Sequence, residues 1–360
     1  MKRLIAISLI VLASLVLSAC ATGANAGSWP GLAADKDNAY LANGAFVYAV
    51  RLTDGVKVWQ YPPDKAGTEL FYSNPVLTPD GQLLVGSSGR DYSLVSLDPA
   101  TGAPKWAVPF VASDHWVASP LVVGDTIYAP NNNGALYALK LATGQQSWSL
   151  NLSSHPLWGA PATDGKLVYV GSLDHFLYAV DPQTQKIVWK RDLGGSIPGA
   201  PLISADGADL YVGSFARKVF AVEAATGAIR WTADLKDWVW NAPALDGDTV
   251  FAADISGNVY SLGAPNGKNA WPEVKPDGPI TASPIAIPNG VVVATESGLL
   301  YAFKPDGSTL WPPANIGGKI YTTPVISGDR IIVAPLGATN LLYAVNSQDG
   351  SLLPWHFAGK

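Results

Sequence analysis

The chain has 360 residues, of which 48% are hydrophobic and only 14% are charged, and its formal net charge is −5. Its 36 glycines and 28 prolines are too many helix breakers for an architecture of long helices. The composition therefore excludes a helical bundle, argues against a basic nucleic-acid-binding domain, and favours a turn-rich, all-β protein.

The first segment has the pattern of an export signal. Met1-Lys2-Arg3 is a short basic start, Leu4 to Leu17 is an uncharged apolar run, and the run ends in the small residues Ser18 and Ala19. The apolar run is shorter than the ~20 residues of a membrane-spanning helix. We therefore predict that residues 1–19 are a lipoprotein signal peptide that is removed on export.

Cys20, the only cysteine of the chain, follows that segment. Residues 17–20, Leu-Ser-Ala-Cys, resemble a bacterial lipobox, in which the cysteine is acylated and becomes the first residue of the mature protein. A lone cysteine has no disulfide partner within the chain, which favours lipidation; cleavage after Ala19 or a nearby alanine is the alternative. The sequence thus predicts a lipid anchor at Cys20 and a small-residue tether over residues 20–28.

Export changes the charge of the protein. Removal of residues 1–19 deletes Lys2 and Arg3 and leaves 21 basic against 28 acidic residues, a formal charge of −7. Such an acidic chain lacks the positive surface that phosphate backbones require, so we expect no nucleic-acid partner. The expected location is a bacterial membrane, at the periplasmic face of the outer membrane where the organism has one.

Three markers recur along the rest of the chain. Eight tryptophans lie 40 to 47 residues apart: Trp59, Trp106, Trp148, Trp189, Trp231, Trp271, Trp311 and Trp355. An aromatic–small pair precedes seven of them: Tyr48-Ala49, Tyr137-Ala138, Tyr178-Ala179, Phe220-Ala221, Tyr260-Ser261, Tyr301-Ala302 and Tyr343-Ala344. A proline opens each repeat: Pro30, Pro75, Pro120, Pro161, Pro201, Pro243, Pro284 and Pro324. The chain is therefore built from eight repeats.

Each repeat contains three turn positions, which separate four strands. In the fourth repeat the turns are Asp164-Gly165, Leu173-Asp174-His175 and Thr184-Gln185, and the runs between turns are short and rich in β-branched and aromatic residues. Four such strands with their turns occupy about 40 residues, the length of a propeller blade. The sequence predicts an all-β, eight-bladed β-propeller with four antiparallel strands per blade, forming a single, monomeric domain over residues 29–360.

The end of each repeat carries a family resemblance. Its cleanest copy, Leu-Asp-Pro-Ala-Thr-Gly-x-x-x-Trp from Leu97 to Trp106, is similar to the tryptophan-docking motif of the quinoprotein-like propellers. In that family the tryptophan of the outermost strand packs on the neighbouring blade, where a turn glycine leaves room for the indole. The resemblance implies that all eight tryptophans are structural docking residues, and Thr184-Gln185 is the one turn without the glycine.

The repeat also predicts how the ring closes. The first strand of the first repeat and the last strand of the eighth both fall inside the sequence, so the terminal blades are expected to close by packing. The weaker markers of the first repeat leave a strand shared between the two ends as the alternative.

On one face of the propeller the residues at equivalent positions differ from repeat to repeat. In the second to eighth repeats the residue four before the proline is apolar, which assigns this series to the core between blades: Phe71, Trp116, Leu157, Ile197, Val239, Ile280 and Ile320. The next residue points the other way and is aromatic in the even-numbered blades: Tyr72, Trp158, Trp240 and Tyr321. We expect these four rings, with Trp116 and Trp238 near them, to surround the mouth of the central channel as a candidate binding site. The alternative is that these rings only plug the channel or lie under the long connections.

The same face gathers residue types that bind transition metals. These are Asp114, His115, His155, Asp174 and His175, but their spacing matches no ligand motif, so solvated polar residues are the preferred interpretation and no metal site is assigned. The chain also lacks a nucleophile elbow, a phosphate loop and a dinucleotide-binding glycine motif. No catalytic residue and no cofactor are predicted.

Anchor, blade number and length together resemble the BamB family. That resemblance implies an exported, membrane-anchored scaffold that binds protein partners in the cell envelope, as in outer-membrane protein assembly. Two alternatives stay open: a propeller that binds a small molecule or glycan at the channel mouth, and a quinone-dependent dehydrogenase. The resemblance disfavours the dehydrogenase, because those enzymes typically pair adjacent cysteines beside the quinone and this chain has only Cys20.

Overall fold

The computed structural model describes residues 29–64 and 69–359; the predicted signal peptide, Cys20 and the whole predicted tether lie outside these residues. The described chain forms eight antiparallel sheets in which successive strands pair in chain order. The first four blades comprise β1 Gly31–Ala34, β2 Asn38–Asn43, β3 Phe46–Arg51, β4 Lys57–Tyr61; β5 Val76–Leu77, β6 Leu83–Gly86, β7 Ser93–Leu97, β8 Phe110–Val111; β9 Leu121–Val123, β10 Thr126–Pro130, β11 Ala135–Lys140, β12 Gln146–Asn151; β13 Ala162–Thr163, β14 Val168–Gly171, β15 Phe176–Asp181 and β16 Lys186–Asp192.

The other four blades comprise β17 Leu202–Ile203, β18 Asp209–Ser214, β19 Lys218–Glu223, β20 Ile229–Asp234; β21 Ala244–Asp246, β22 Thr249–Ala253, β23 Val259–Gly263; β24 Ile285–Ile287, β25 Gly290–Ala294, β26 Leu299–Phe303, β27 Thr309–Asn315; β28 Val325–Ser327, β29 Arg330–Val333, β30 Leu342–Asn346 and β31 Leu352–Phe357. In the sixth blade the outer segment pairs only at two bridges, from Leu262 to Asn269 and from Val259 to Val274. The predicted all-β, eight-bladed propeller is confirmed. Within the described residues, no helix is long and apolar enough to cross a membrane.

The recurring aromatic–small pair has a structural cause. Its small residue lies directly across the sheet from the docking tryptophan, as Ala138 does from Trp148 and Ala179 from Trp189. In both blades the register shifts just after this pair, which marks a β-bulge. A small side chain at this position leaves space beside the indole, so the aromatic–small pair and the tryptophan are two halves of one packing arrangement.

Seven of the eight tryptophans lie on the turn glycine of the next blade. A Cβ atom built on any of these glycines would come closer than 3.0 Å to the indole. The pairs are Trp59 on Gly102, Trp106 on Gly144, Trp189 on Gly227, Trp231 on Gly267, Trp271 on Gly307, Trp311 on Gly350 and Trp355 on Gly55. All seven glycines have a positive φ, so both the conformation and the contact require glycine.

The eighth dock lies between the third and fourth blades and has Gln185 in place of glycine. Gln185 has a φ of 57°, a left-handed conformation that costs a side chain with a Cβ about 1 kcal/mol. We therefore expect Gln185→Gly to raise the free energy of unfolding by about 0.5–1 kcal/mol, measured by urea denaturation. The matched control is Gln183→Gly in the same turn, where φ is not positive; a gain of equal size there would contradict the explanation.

The ring closes by packing, as expected, and among the described residues no strand is shared between the two ends. The first sheet consists only of residues 31–61 and the eighth only of residues 325–357. Trp355 of the last blade lies on Gly55 of the first, and the Ser327 hydroxyl donates a hydrogen bond to the Asp35 carbonyl at 2.7 Å. The first and last blades are therefore joined by the same tryptophan dock as the others.

The hydrophobic core is divided into eight layers, each between two neighbouring blades. One cluster, for example, joins Leu41 and Tyr48 of the first blade to Leu342 and Trp355 of the last. The apolar series predicted to face this interior is fully buried, with exposures of 0–1%: Phe71, Trp116, Leu157, Ile197, Val239, Ile280 and Ile320. The backbone of the residue that follows each of them is therefore held in place by the core. This defines where the side chains at the channel mouth begin.

Candidate functional site

The segments that cross from one blade to the next share a face with the middle hairpin turns. Backbone hydrogen bonds join them: the Leu173 amide donates to the Pro156 carbonyl at 3.1 Å, and the Ile255 amide donates to the Trp238 carbonyl at 3.0 Å. Because these bonds recur around the ring, the crossing segments are held against the turns as a continuous rim. The sequence-predicted aromatic residues lie on this rim.

Three of the four predicted rings form one connected cluster. The Trp158 and Trp240 rings have centroids 6.1 Å apart. Trp29 connects Trp240 to Tyr321: its ring lies 5.8 Å from that of Trp240 and stacks on that of Tyr321 at 5.0 Å with an interplanar angle of 8°. Trp158 and Tyr321 open the fourth and eighth blades, which are opposite in an eight-bladed ring. The cluster therefore extends across the channel mouth.

Two further aromatics extend this cluster towards solvent. Phe215, in the middle turn of the fifth blade, lies 5.3 Å from Trp240 and stacks on Trp238 at 5.0 Å. Trp238 is 47% exposed, a large value for so apolar a side chain. Together, Trp29, Trp158, Phe215, Trp238, Trp240 and Tyr321 are called the aromatic face below.

Sequence reasoning missed two members of the aromatic face. Trp29 precedes the first strand and Phe215 occupies a turn, so neither belongs to the repeated position that selected the other rings. For Phe215 the only signal was an aromatic residue at a turn position that other repeats fill with Asn132, Leu173 or Ile255.

The remaining two candidates lie apart from the aromatic face. Tyr72 is half-buried, which raises the pKa of its phenol, and it makes no ring contact with the aromatic face. Trp116 is 1% exposed and packs in the core against Phe110 and Tyr137, while its indole N–H donates to the Tyr92 carbonyl at 2.8 Å. Assigning Trp116 to the binding surface was therefore wrong, because its apolar position faces the interior between blades.

A polar network holds Trp158 in place. Its indole N–H donates to the Asn132 side-chain carbonyl at 2.9 Å, and the Asn132 amide donates to the Asp114 carboxylate at 3.0 Å. Burial alone would raise the pKa of Asp114, but the hydrogen bonds from Asn132 and from the His115 amide outweigh it and hold that pKa below its usual value. A charged carboxylate thus orients an indole ring on the aromatic face.

The other candidate metal-binding residues do not converge. Asp114 pairs with His115, Asp174 accepts a hydrogen bond from the Tyr178 hydroxyl at 2.6 Å, and His155 lies beside Ser154. In the part of the chain that the structure describes, no three histidine, aspartate or glutamate side chains are grouped as metal ligands. These residues serve local hydrogen bonding.

Glu69 and Asp91 form a carboxyl pair on the same face, where the chain enters the second blade. Burial, together with the hydrogen bond to Asp91 and repulsion from it, raises the pKa of Glu69 from 4.5 to about 7. Because the folded state then binds a proton that the unfolded state releases, stability falls as the pH rises through this window.

We expect Glu69→Gln to be more stable than the unaltered protein at about pH 8, with little difference at about pH 4, because glutamine stays neutral throughout. Urea denaturation at both values measures this. In an Asp91→Asn background the advantage should shrink, since the repulsion is gone. An equal gain at both pH values would refute the assignment.

Two clefts lie on the opposite face, between neighbouring blades. One, of about 530 Å³, is bordered by Asn289, Asp329 and Gln348, and another, of about 490 Å³, by Lys166 and Asp181. Both are formed by the first and third turns of the blades. Neither contacts the aromatic face, which remains the candidate site.

Comparison with known proteins supports the repeat assignment. The sequence model of the family described as outer membrane protein assembly factor BamB matches residues 23–172, 152–206, 178–290 and 255–359. The outer membrane protein assembly factor BamB of Yersinia pestis is 28% identical over 180 residues, 46% of this chain and 44% of its own length. The lanthanide-dependent methanol dehydrogenase of Methylacidiphilum fumariolicum is 33% identical over 70 residues, 19% of this chain and 11% of its own.

A solved structure shows the same fold. The crystal structure of BamB from Moraxella catarrhalis superposes with a TM-score of 0.69 and 22% identity, covering 89% of this chain and 92% of that one. The chain spans less than half the length of each curated relative it matches. Because the family model covers nearly the whole propeller, the chain belongs to the BamB family of eight-bladed propellers.

Proposed function

We propose that this protein is an exported, lipid-anchored scaffold that binds a protein partner through the aromatic face, in outer-membrane protein assembly. In this proposal, residues 1–19 are the signal peptide, Cys20 carries the lipid, residues 20–28 are the tether, and residues 29–360 are a single propeller domain. The protein is proposed to act as a monomer without catalysis, at the periplasmic face of the outer membrane.

The connected aromatic face is the observation that carries the proposal. Aromatic side chains dominate the energetics of protein interfaces because they bury large areas at a small entropic cost. Here Trp238 is 47% exposed and rests on Phe215, which in turn rests on Trp240. An exposed ring supported by half-buried rings has the arrangement of an interface anchor. The family's association with outer-membrane assembly indicates the kind of partner.

Replacement of Trp238 tests the proposal. We expect the lipidated, full-length Trp238→Ala protein to lose about 2 kcal/mol of binding energy for a barrel-assembly partner, on the order of thirty-fold in affinity. The measurement is recovery of that partner from detergent-solubilised outer membranes, followed by titration. Leu352→Ala, which truncates a 49% exposed side chain on the outer strand β31, is the matched control. Equal recovery by the two variants would contradict the proposal.

A small molecule or glycan at the channel mouth is the second candidate, favoured by the exposure of Trp238 above its stacked neighbour. Flat rings of this kind stack on sugar faces and on aromatic ligands. In that case Trp238→Ala would lose binding in a glycan or metabolite screen, while the recovery of protein partners would not change.

A further inference from the structure

Trp29 differs from every other ring of the aromatic face in its origin. The other rings come from the rims of the blades, whereas Trp29 lies just before the first strand and is placed by the chain that enters the first blade. The next residue, Pro30, is fixed to the eighth blade, because its carbonyl accepts a hydrogen bond from the Thr322 hydroxyl. Trp29 is thus carried to the channel mouth by a short segment rather than by a strand.

The Trp29 ring fills a slot with two aromatic walls. Tyr321 forms one wall, nearly parallel to the Trp29 ring at 8° and 5.0 Å, and Trp240 forms the other, tilted at 57° and 5.8 Å. The Lys319 ammonium lies 6.0 Å from the centroid of the Tyr321 ring and so brings a positive charge close to that wall. Stacked and tilted arrangements at these distances are those that two aromatic rings prefer.

The walls of the slot have supports that do not involve Trp29. Trp240 contacts Trp158 and Phe215, and Trp158 is fixed by its hydrogen bond to Asn132. Tyr321 follows the fully buried Ile320. Withdrawal of Trp29 would therefore leave both walls in position and the slot open.

We propose that this slot is a receptor for a planar aromatic ring, that Trp29 occupies it in cis, and that the aromatic side chain of a partner segment binds by displacing Trp29. The proposal rests on the proposed function only for the nature of the partner. A partner ring can bind only those molecules whose slot is open. The apparent affinity is therefore the intrinsic affinity multiplied by the fraction of molecules with an open slot. Trp29 thus acts as a gate on the aromatic face.

The test measures binding of free indole to the full chain by NMR titration or calorimetry. We expect Trp29→Ala to bind indole at least about ten-fold more tightly than the unaltered protein, because the competing ring is gone. Adding Trp240→Ala to that variant removes one wall and should abolish the gain. Tyr72→Ala, which truncates an aromatic side chain on the same face but leaves Trp29 in its slot, is the control and should bind no more indole than the unaltered protein.

Trp29→Phe is a second variant that keeps the test valid if Trp29→Ala does not fold. Phenylalanine has a smaller ring, so this variant should bind indole with an affinity between those of the unaltered protein and Trp29→Ala. If neither substitution tightens indole binding, or if the unaltered protein binds as tightly as the variants, the slot is not a gated receptor. These outcomes are independent of partner recovery, so failure of this inference is distinguishable from failure of the proposed function.

Discussion

Trp106→Ala is expected to lower the free energy of unfolding by about 3–5 kcal/mol, among the largest losses available to a single substitution in this protein. The Trp106 indole is 5% exposed, lies against Gly144 of the next blade, and donates its N–H to the Leu141 carbonyl at 2.9 Å. Truncation leaves a cavity between the second and third blades and a buried carbonyl without its donor. Urea denaturation of the purified domain measures the loss.

Trp148→Ala is the matched control for this dock. It removes the same side chain from the equivalent position of the next blade, but Trp148 is only half-buried, in the core layer between the third and fourth blades, where Gln185 stands at the position of the turn glycine. We expect a clearly smaller loss of stability there. Equal losses at the two positions would show that neither the deeper burial of Trp106 nor its contact with Gly144 adds to the stability.

Asp254→Ala is expected to cost about 3 kcal/mol of unfolding free energy, the second large effect. Asp254 is completely buried in the middle turn of the sixth blade, where its carboxylate accepts hydrogen bonds from the Asn258 amide at 2.9 Å and from the Tyr260 hydroxyl at 2.8 Å. Alanine would leave these buried donors without an acceptor. Burial and the Asp254 carboxylate also raise the pKa of Tyr260.

The control for Asp254 is Asp174→Ala, at the same turn of the fourth blade. Asp174 accepts a hydrogen bond from the Tyr178 hydroxyl at 2.6 Å, but it is only partly buried, so water can replace the lost acceptor. We expect a loss of about 1 kcal/mol. A loss as large as that of Asp254→Ala would mean that burial is not what makes the sixth-blade carboxylate important.

The turn that contains Asp254 also contacts the segment that carries Trp238 of the aromatic face. Its neighbour Ile255 donates its amide proton to the Trp238 carbonyl at 3.0 Å, and the Ser256 hydroxyl binds the Asp237 carboxylate. The backbone of Trp238 is therefore hydrogen-bonded to a turn whose conformation depends on the hydrogen bonds of Asp254. The hydrogen bonds of the sixth blade thus position Trp238, the most exposed ring of the aromatic face.

The closed ring also explains how separate blades present one defined surface. Seven of the eight inter-blade layers have a tryptophan on a turn glycine, and the layer between the first and last blades is one of them. Closure leaves no gap through which one blade could rotate. The rings that the blades themselves carry at the channel mouth therefore have defined positions, although they come from blades on opposite sides.

The repeats could be predicted from the sequence because the same local environment occurs eight times. Each tryptophan, its glycine and its small neighbour satisfy one packing contact, and repetition makes the spacing visible. The alternation along the strand start likewise separated the buried Ile197 and Ile320 from the outward-pointing Tyr321. Trp116 was wrongly assigned to the binding surface because its closeness in sequence to the channel mouth was given more weight than its place in the buried series.

The repeated residues were therefore enough to predict the all-β class, the number of blades, the docking tryptophans and the face on which the side chains vary. Which of those side chains contact one another became visible only in the folded ring. Trp29 and Trp240 come from unrelated repeat positions, and their contact exists because ring closure brings distant blades together at one axis. A periodic pattern records the neighbours that every blade shares, whereas contacts across the channel occur once and leave no period in the sequence.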